Sequence, residues 1–256
     1  MESDYIRKCV VTALDEAEAT WKTVGTRLTK TAVLREDSRA QVVPSFIPGH
    51  PSVSSDRPVV DSFIAWVIDL RESTSHLSTR IGPPAKATEL ERIYYETTAL
   101  FHASTAIVER EGGSVTEYLG DGLLALFPGG DDPPNHAERT KSVYAAWRAA
   151  SSALGCVKNV INPILADRYS LPPIAVGIGI ALSKALVTTV GAGTRVHPKA
   201  FGRSVWRASK SSAGWNEIRI DECIQLAWPT AKNGVVKFRE APANGLGYRE
   251  FVVVGG

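Results

Sequence analysis

SFIAWVIDL, residues 62–70, and VTEYLGDGLLALF, residues 115–127, are the two stretches on which the fold turns. The first is a short apolar run of strand character that ends on a carboxylate, Asp69, and leads into LREST, the expected start of a helix. The second reads as two strands joined by a tight Gly120-Asp121-Gly122 turn, a strong hairpin signal. Helix-like segments at 72–80 and 86–110 lie between them. Beyond them the spacing predicts a long helix over about 134–160, with Val143, Ala146, Trp147, Ala150 and Leu154 on one stripe. IAVGIGIAL and KALVTTVG, within 174–191, read as a second hairpin. A helix over 203–213, a strand over 216–220 and a terminal pair near 234–239 and 248–254 complete the pattern. Strands alternating with helices, with hairpins among them, predict an α+β domain with a mostly antiparallel sheet, flanking helices and split βαβ character.

Upstream the character changes. Ile6, Val10, Ala13, Leu14, Ala17, Trp21, Val24 and Leu28 recur at three- and four-residue steps, which predicts an N-terminal helix within 1–35. Such a helix could pair with another chain or lie on its own core. Residues 36–60 mix Pro44, Pro48, Pro51 and Pro58 with five serines and read as an irregular linker. The compact domain is then 61–256.

Composition excludes several classes. The 29 Lys and Arg nearly balance the 27 Asp and Glu, so a cationic coat for direct nucleic-acid binding is not expected. No apolar stretch reaches the length of a membrane span, and the densest, 171–182, contains Pro172, Pro173 and two glycines. MESDYIRK at the start carries acidic residues and no apolar core, so no secretory signal is expected. Cys9, Cys156 and Cys223 form no CxxC pair, which suits a reducing cytoplasm. The histidines at 50, 76, 102, 136 and 197 never fall at HExxH or HxxxH spacing, so histidine-ligated metal is not expected.

Chemistry concentrates at the strand ends. Asp69 and Asp121 both sit where side chains can leave a sheet, and carboxylates on rigid strands suit the hard cations Mg²⁺ and Mn²⁺. Ser73 and Thr74, opening a helix just after Asp69, could offer backbone N–H groups to a phosphate. Turn conformation alone also accounts for an Asp between two glycines. Other phosphate and nucleophile motifs fail: there is no GK[ST] and no G-x-S-x-G, and the pairs Gly177–Gly179 and Gly191–Gly193 lack the third glycine of a dinucleotide fingerprint.

Four blocks, FIAWVIDLREST (63–74), GGSVTEYLGDGLLALF (112–127), AVGIGIALSKALVTTVG (175–191) and FGRSVWRASK (201–210), occur in the order found in class III nucleotide cyclases, which residues 60–254 therefore resemble. The resemblance implies a ferredoxin-like cyclase catalytic domain. It implies that Asp69 and Asp121 hold two divalent cations, Mn²⁺ or Mg²⁺, with the Leu70 carbonyl as a further ligand, and that the turn bearing Arg71, Ser73 and Thr74 cradles the triphosphate. It also implies a head-to-tail homodimer with composite active sites, the base and ribose contacts coming from the partner chain.

Departures from the family pattern bear on the substrate. Glu117 stands where adenylate cyclases carry Lys, Lys199 where they carry Asp or Thr, Trp206 for the ribose-positioning Asn, and Lys210 for the transition-state Arg. A carboxylate only accepts hydrogen bonds, so Glu117 disfavours adenine and cytosine, whose corresponding ring nitrogens are also acceptors. Uracil and guanine both offer a ring N–H beside a carbonyl that Lys199 could meet, and guanylate cyclases also have Glu here. Trp206 would crowd a purine more than a pyrimidine. Gly202, Arg203, Ser209 and Lys210 are similar to a pattern in the pyrimidine cyclases of bacterial Pycsar antiphage systems, which favours UTP, with cyclic UMP as a product read by a separate effector. Lys210 would neutralise transition-state charge, with Arg203 and Arg207 on the same helix able to assist and Lys237 and Arg239 as weaker triphosphate contacts. The plainer alternatives are a solvated strand residue for Glu117, a loop lysine for Lys199, a core side chain for Trp206, and a retired nucleotide-binding or dimerisation module for the whole.

Overall fold

A computed structural model of the chain describes residue 19 and residues 42–78, 85–130, 136–192, 195–229, 234–242, 245 and 247–255. The expected N-terminal helix lies, apart from Ala19, outside the described residues.

The chain enters through strands β1 (Val42–Ile47) and β2 (His50–Ser54), which pair antiparallel as a small separate sheet. Then follow β3 (Val59–Leu70), α1 (Ser73–Ser78), α2 (Glu89–Arg110), β4 (Ser114–Tyr118), β5 (Gly122–Pro128) and α3 (His136–Cys156). After a π turn over Val157–Ile161 come α4 (Asn162–Tyr169), β6 (Val176–Ala192), β7 (Arg195–Gly202), α5 (Arg203–Ser211), β8 (Glu217–Asp221), α6 (Glu222–Leu226), β9 (Lys237–Glu240) and β10 (Glu250–Val254). The main sheet runs β4-β5-β3-β6-β8-β10-β9, with β7 on the far end of β6. Its pairs are antiparallel except β6 with β8. The expected α+β cyclase-type architecture is the one observed.

Residues 63–68 are apolar without interruption because both faces of β3 are covered. Ile64, Trp66, Ile68 and Leu70 join Leu123, Ala125 and Phe127 of β5 under Leu100 and Val108 of α2 and Val143, Ala146 and Ala150 of α3. Phe63, Ala65 and Val67 point the other way, into a smaller cluster with Leu124, Leu126, Ala181 and Ala185, Ala208 of α5, and Ile47 and Val53 of the first hairpin. Helix α2 begins at a capping box in which the Thr88 hydroxyl accepts from the Glu91 amide and the Glu91 carboxylate accepts from the Thr88 amide.

Three expectations are corrected. The segment read as an irregular linker forms, over 42–54, the β1–β2 hairpin, because Pro48 and Gly49 supply a tight turn, Gly49 at φ +79°. The hairpin read within 174–191 is one strand, β6, paired with β3 from Val176 to Val187. Ser183 and Lys184 lie opposite Phe63 and Ser62 in unbroken register, so nothing turns the chain there. The strand runs on to Ala192 and pairs with β7 from Ala185 onward; within that ladder Gly191, at φ +132°, faces Val196, and an added Cβ would lie 2.0 Å from the Arg195 carbonyl, which excludes a side chain. The long helix also runs further than expected, to Tyr169. The π turn precedes Pro163, which cannot donate to the ladder.

Candidate functional site

Asp69 stands opposite Gly122 on β5 and Gly177 on β6. The Leu70 amide donates to the Asp121 carbonyl at 3.1 Å, which ties the end of β3 to the turn between β4 and β5. A Cβ at Gly122 would lie 2.4 Å from the Ile68 carbonyl and 3.1 Å from Asp69 Oδ1, so the glycine after Asp121 leaves the space that the Asp69 side chain occupies. The Ser73 hydroxyl donates to the Asp121 carboxylate, and Arg71 Nη2 pairs with Asp69 Oδ2. Burial holds the Arg71 guanidinium below its ordinary range, Asp121 opposing that and the charge of Arg219 adding to it. The Arg71 Nε atom is buried and has no hydrogen-bond partner among the described residues. Asp69, Asp121, Arg71 and Ser73 are thus brought together, while Thr74 is exposed.

Behind this corner lies a group that the sequence reading missed. Glu96, fully buried on α2, accepts from Arg92 Nε at 2.8 Å, and its other oxygen lies 2.7 Å from His76 Nδ1 on α1. The cluster fixes α1, and with it the Ser73 end, against α2. Its signal was present: Arg92, Glu96, Leu100, Ser104 and Val108 form one i, i+4 stripe, so the polar pair continues a buried face.

Glu117 and Lys199 meet. Lys199 Nζ donates to Glu117 Oε2 at 2.5 Å, both side chains being about one-third exposed. They come from β4 and β7, with β5, β3 and β6 between them. In a flat sheet four strand spacings, about 19 Å, would separate them, beyond the joint reach of a lysine and a glutamate. The sheet therefore curls at this end, and β1 packs against both β4 and β7. A bulge between Val115 and Glu117 shifts the β4 register and aims the carboxylate.

Helix α5 carries the remaining candidates. Its Ser204 amide donates to Ser183 Oγ at 2.8 Å, and it buries Ser204, Ala208 and Ser211. An added Cβ at Gly177 would lie 2.0 Å from the Ser212 carbonyl, and one at Gly179 2.0 Å from that of Ala208. These two glycines, which fit no dinucleotide fingerprint, let the helix backbone rest directly on β6. Trp206 is 47% exposed and so is not a core residue; its ring meets Tyr248 edge-on at 5.8 Å. Arg203 and Lys210 are exposed and form no ion pair among the described residues. Arg207 is different. Its Nη1 donates to Asp221 at 3.1 Å and Glu222 at 2.9 Å, and the guanidinium lies 4.6 Å from the Tyr248 ring centre. Its charge is engaged by two carboxylates of its own domain, in contrast to Arg203 and Lys210. Lys237 and Arg239 lie on β9, beyond β10 and β8 from β6.

The candidates therefore fall into three groups: the Asp69–Asp121 corner, the Glu117–Lys199 pair, and the outer face of α5. Among the described residues no hydrogen bond or ion pair joins the first group to Glu117, Lys199, Trp206 or Lys210. No set of three or more His, Cys, Asp or Glu residues converges as a complete metal cage among the described residues. Two carboxylates at one strand corner, with the Leu70 carbonyl beside them, are instead the hard oxygen set that suits Mg²⁺ or Mn²⁺ shared with phosphate oxygens and water.

With this geometry in place, the fold can be compared with known structures. The chain has the fold of a nucleotide cyclase catalytic domain. It is similar to the adenylyl cyclase CyaB from P. aeruginosa, at 19% identity over 78% of this chain and 97% of that one, with a TM-score of 0.62. The guanylyl cyclase Cya2 is similar at 19% identity over 77% and 93%, TM-score 0.60, and the guanylate cyclase domain of RhGC from Catenaria anguillulae in complex with GTP at 16% over 78% and 98%, TM-score 0.56. No protein-family model and no curated protein matches the sequence. No helix among the described residues is long and apolar enough to cross a membrane.

Proposed function

We propose that this chain is a nucleotide cyclase that converts UTP to cyclic UMP and pyrophosphate. The observation that carries the substrate reading is the Glu117–Lys199 pair: a carboxylate acceptor and an ammonium donor side by side. Such a pair complements a base edge with a ring N–H next to a carbonyl, which uracil and guanine present and adenine and cytosine do not. Base entry exchanges the Lys–Glu contact for one hydrogen bond to each partner, so neither group is stranded without a partner. GTP is the second reading, since it offers the same edge. Trp206, exposed and not part of the core, would crowd a purine more than a pyrimidine and so supports the smaller base.

In this reading Asp69, Asp121 and the Leu70 carbonyl hold two divalent cations, Mn²⁺ or Mg²⁺. Bound there, the cations would acidify the ribose 3′-hydroxyl and neutralise phosphate charge. Ser73 and Arg71, with the exposed Thr74 beside them, receive the triphosphate. Both Ser73 and Arg71 already touch the two carboxylates and shift to phosphate oxygens when substrate arrives. The ribose 3′-oxygen forms a bond to the α-phosphorus while the bond from that phosphorus to the bridging oxygen breaks. The hydroxyl proton passes to solvent, and pyrophosphate leaves with the negative charge. Lys210, aided by Arg203, stands over the developing charge. The three separated groups of one chain suit a homodimer in which each site takes its Asp corner from one protomer and its Glu117, Lys199, Trp206 and Lys210 from the other. The resemblance of Gly202, Arg203, Ser209 and Lys210 to the pyrimidine cyclases of antiphage systems supports a cytoplasmic enzyme whose product is a defence signal read by a separate effector.

The test is a product assay. Purified protein with Mn²⁺ receives ATP, GTP, CTP and UTP separately, and products are resolved by mass spectrometry. Cyclic UMP from UTP is expected. Cyclic GMP alone would keep the cyclase and move the substrate to GTP. Nucleotide binding without any cyclic product would make the chain a binding module.

A further inference from the structure

Helix α5 presents a face whose direction must be set by something. It is nine residues long and rests on two glycines, Gly177 and Gly179, which offer no side chain to lock it rotationally. At about 100° per residue, Trp206 lies roughly 170° and Lys210 roughly 130° from the centre of the Ser204–Ala208–Ser211 stripe. Arg207 lies only about 70° from that centre, on the flank where helix meets sheet. There its guanidinium bridges Asp221 at the end of β8 and Glu222 at the start of α6, and covers the face of Tyr248. A second tie stands one turn on: Ser211 Oγ donates to Glu250 Oε1 at 2.6 Å, and the Tyr248 hydroxyl to the same oxygen at 3.0 Å. The anchor is itself built in. Asp221 is fully buried, its Oδ1 accepts from the amides of Ile224 at 3.0 Å and Leu182 at 3.4 Å, and only Oδ2 faces Arg207.

We propose that Arg207 is a positioning residue that latches α5 to the β8–α6 corner and thereby sets the direction of Trp206 and Lys210. The proposal rests on reading the outer face of α5 as part of a cyclase site, but the latch itself does not depend on that reading. The titratable and polar groups around Asp221 are Arg207 on α5, Glu222 and Cys223 on α6, Arg219 on its own strand, Glu250 opposite it on β10, and from β6 the Leu182 amide. Burial pushes the Asp221 carboxyl up to about 6, against the pull of the Ile224 amide and Arg207. Above that pH the carboxylate holds Arg207. Below it, the neutral acid keeps its backbone contacts and loses its charge, leaving Glu222 alone to hold the cation.

The variants R207M, R207K and D221N test this. D221N retains an oxygen for the Ile224 and Leu182 amides but turns an NH2 toward Arg207, so it removes both the charge and the acceptor that hold the guanidinium. With UTP or GTP, whichever the wild type cyclises, R207M should lower kcat about 10- to 100-fold with KM within about twofold, because misplacement by about 1 Å is enough for such a loss. R207K should recover part of it. The wild-type kcat should fall as pH drops through about 6, a limb that is absent in R207M and D221N. The double variant R207M/D221N should be no worse than R207M. Independently, α5 amides should exchange hydrogen faster in R207M and D221N than in wild type at pH 7.5. If R207M does not fold, D221N carries both readouts. Unchanged exchange and unchanged kcat in D221N would overturn the latch. A wild type that makes no cyclic nucleotide would overturn the enzyme reading, while the exchange measurement would still decide the latch.

Discussion

The two faces of the main sheet are built on different principles. One holds Ile64, Trp66, Ile68, Leu70, Leu123 and Phe127 beneath the long helices α2 and α3. The other replaces bulk with closeness: Ala65, Ala181, Ala185, Gly177 and Gly179 bring the short helix α5 and the β1–β2 hairpin onto the backbone itself. The first face gains stability from area, since fully burying a large apolar side chain contributes roughly 1.5–3 kcal/mol. The second gives up that gain at its glycines and gains proximity, which lets short polar side chains at its margin reach one another. Asp69 points to this second face, in the alternation that sends Phe63, Ala65 and Val67 there.

The sharpest way to separate the faces is to remove one residue from each. Asp121→Ala should lower cyclase turnover by about a thousandfold or more, as losses of charge stabilisation at a reacting phosphate do. It should cost little stability, since one partly exposed hydrogen bond from Ser73 is worth about 1 kcal/mol. Trp66→Ala should do the reverse: about 3–5 kcal/mol of unfolding free energy lost, with the residual folded enzyme close to wild type per active molecule. Urea titration and initial rates on both variants check the pair. Full activity in Asp121→Ala at an unchanged Tm would remove the corner from the chemistry.

A smaller effect tests closeness itself. Gly179→Ala puts a methyl 2.0 Å from the Ala208 carbonyl, an approach that backbone cannot relieve without moving α5. Overpacking of this kind costs about 1–3 kcal/mol. Because the displaced helix carries Trp206 and Lys210, kcat should fall by more than the stability loss accounts for at a temperature well below Tm. A kcat that stays at wild type while the melting point drops would show that the face tolerates a shifted helix.

What was legible in the sequence follows the same division. Strand β3, the β4–β5 hairpin with Asp121 at its turn, α3 and α5 all announce themselves through apolar pattern or turn chemistry, and each is present in the structure, although β3 begins earlier, at Val59, and the long helix continues past its expected end to Tyr169. Glu117 and Lys199 are 82 positions apart; nothing local signals that they touch, because the contact depends on the curl of the whole sheet. The ion pairs of Arg207 were hidden for a related reason. Arg203, Arg207 and Lys210 are spaced to share one helix face, and only the position of the buried stripe shows that Arg207 sits at its edge. Residues 42–54 hid their hairpin because Pro44 and Pro51 argue against a central strand, yet a small two-stranded sheet has only edges, where proline is tolerated. The Pro48-Gly49 dipeptide was the available signal.

That hairpin supplies the smallest test of the two-face comparison. His50 of β2 lies 3.0 Å from Asp61 of β3, its ring tilted against Phe63 at 5.9 Å, so one side chain ties the cover to the second face. The His50 hydrogen bond, with the Ser62 amide, holds the Asp61 carboxyl below its ordinary 3.8, against the opposing effect of burial. A carboxyl lowered on folding adds stability that is present above its unfolded value and lost as pH falls through its folded one. His50→Ala should therefore cost no more than about 1 kcal/mol near neutrality, since Asp61 is partly exposed and solvent screens the pair. The gap between variant and wild type should persist down to about pH 4 and close below it, as Asp61 takes up its proton in both states. Urea midpoints at pH 7, 5 and 3 measure that closure. A gap that stays constant to pH 3 would assign the hairpin's attachment to Ile47, Val53 and the His50–Phe63 contact alone, making even the polar margin of the second face a matter of packing.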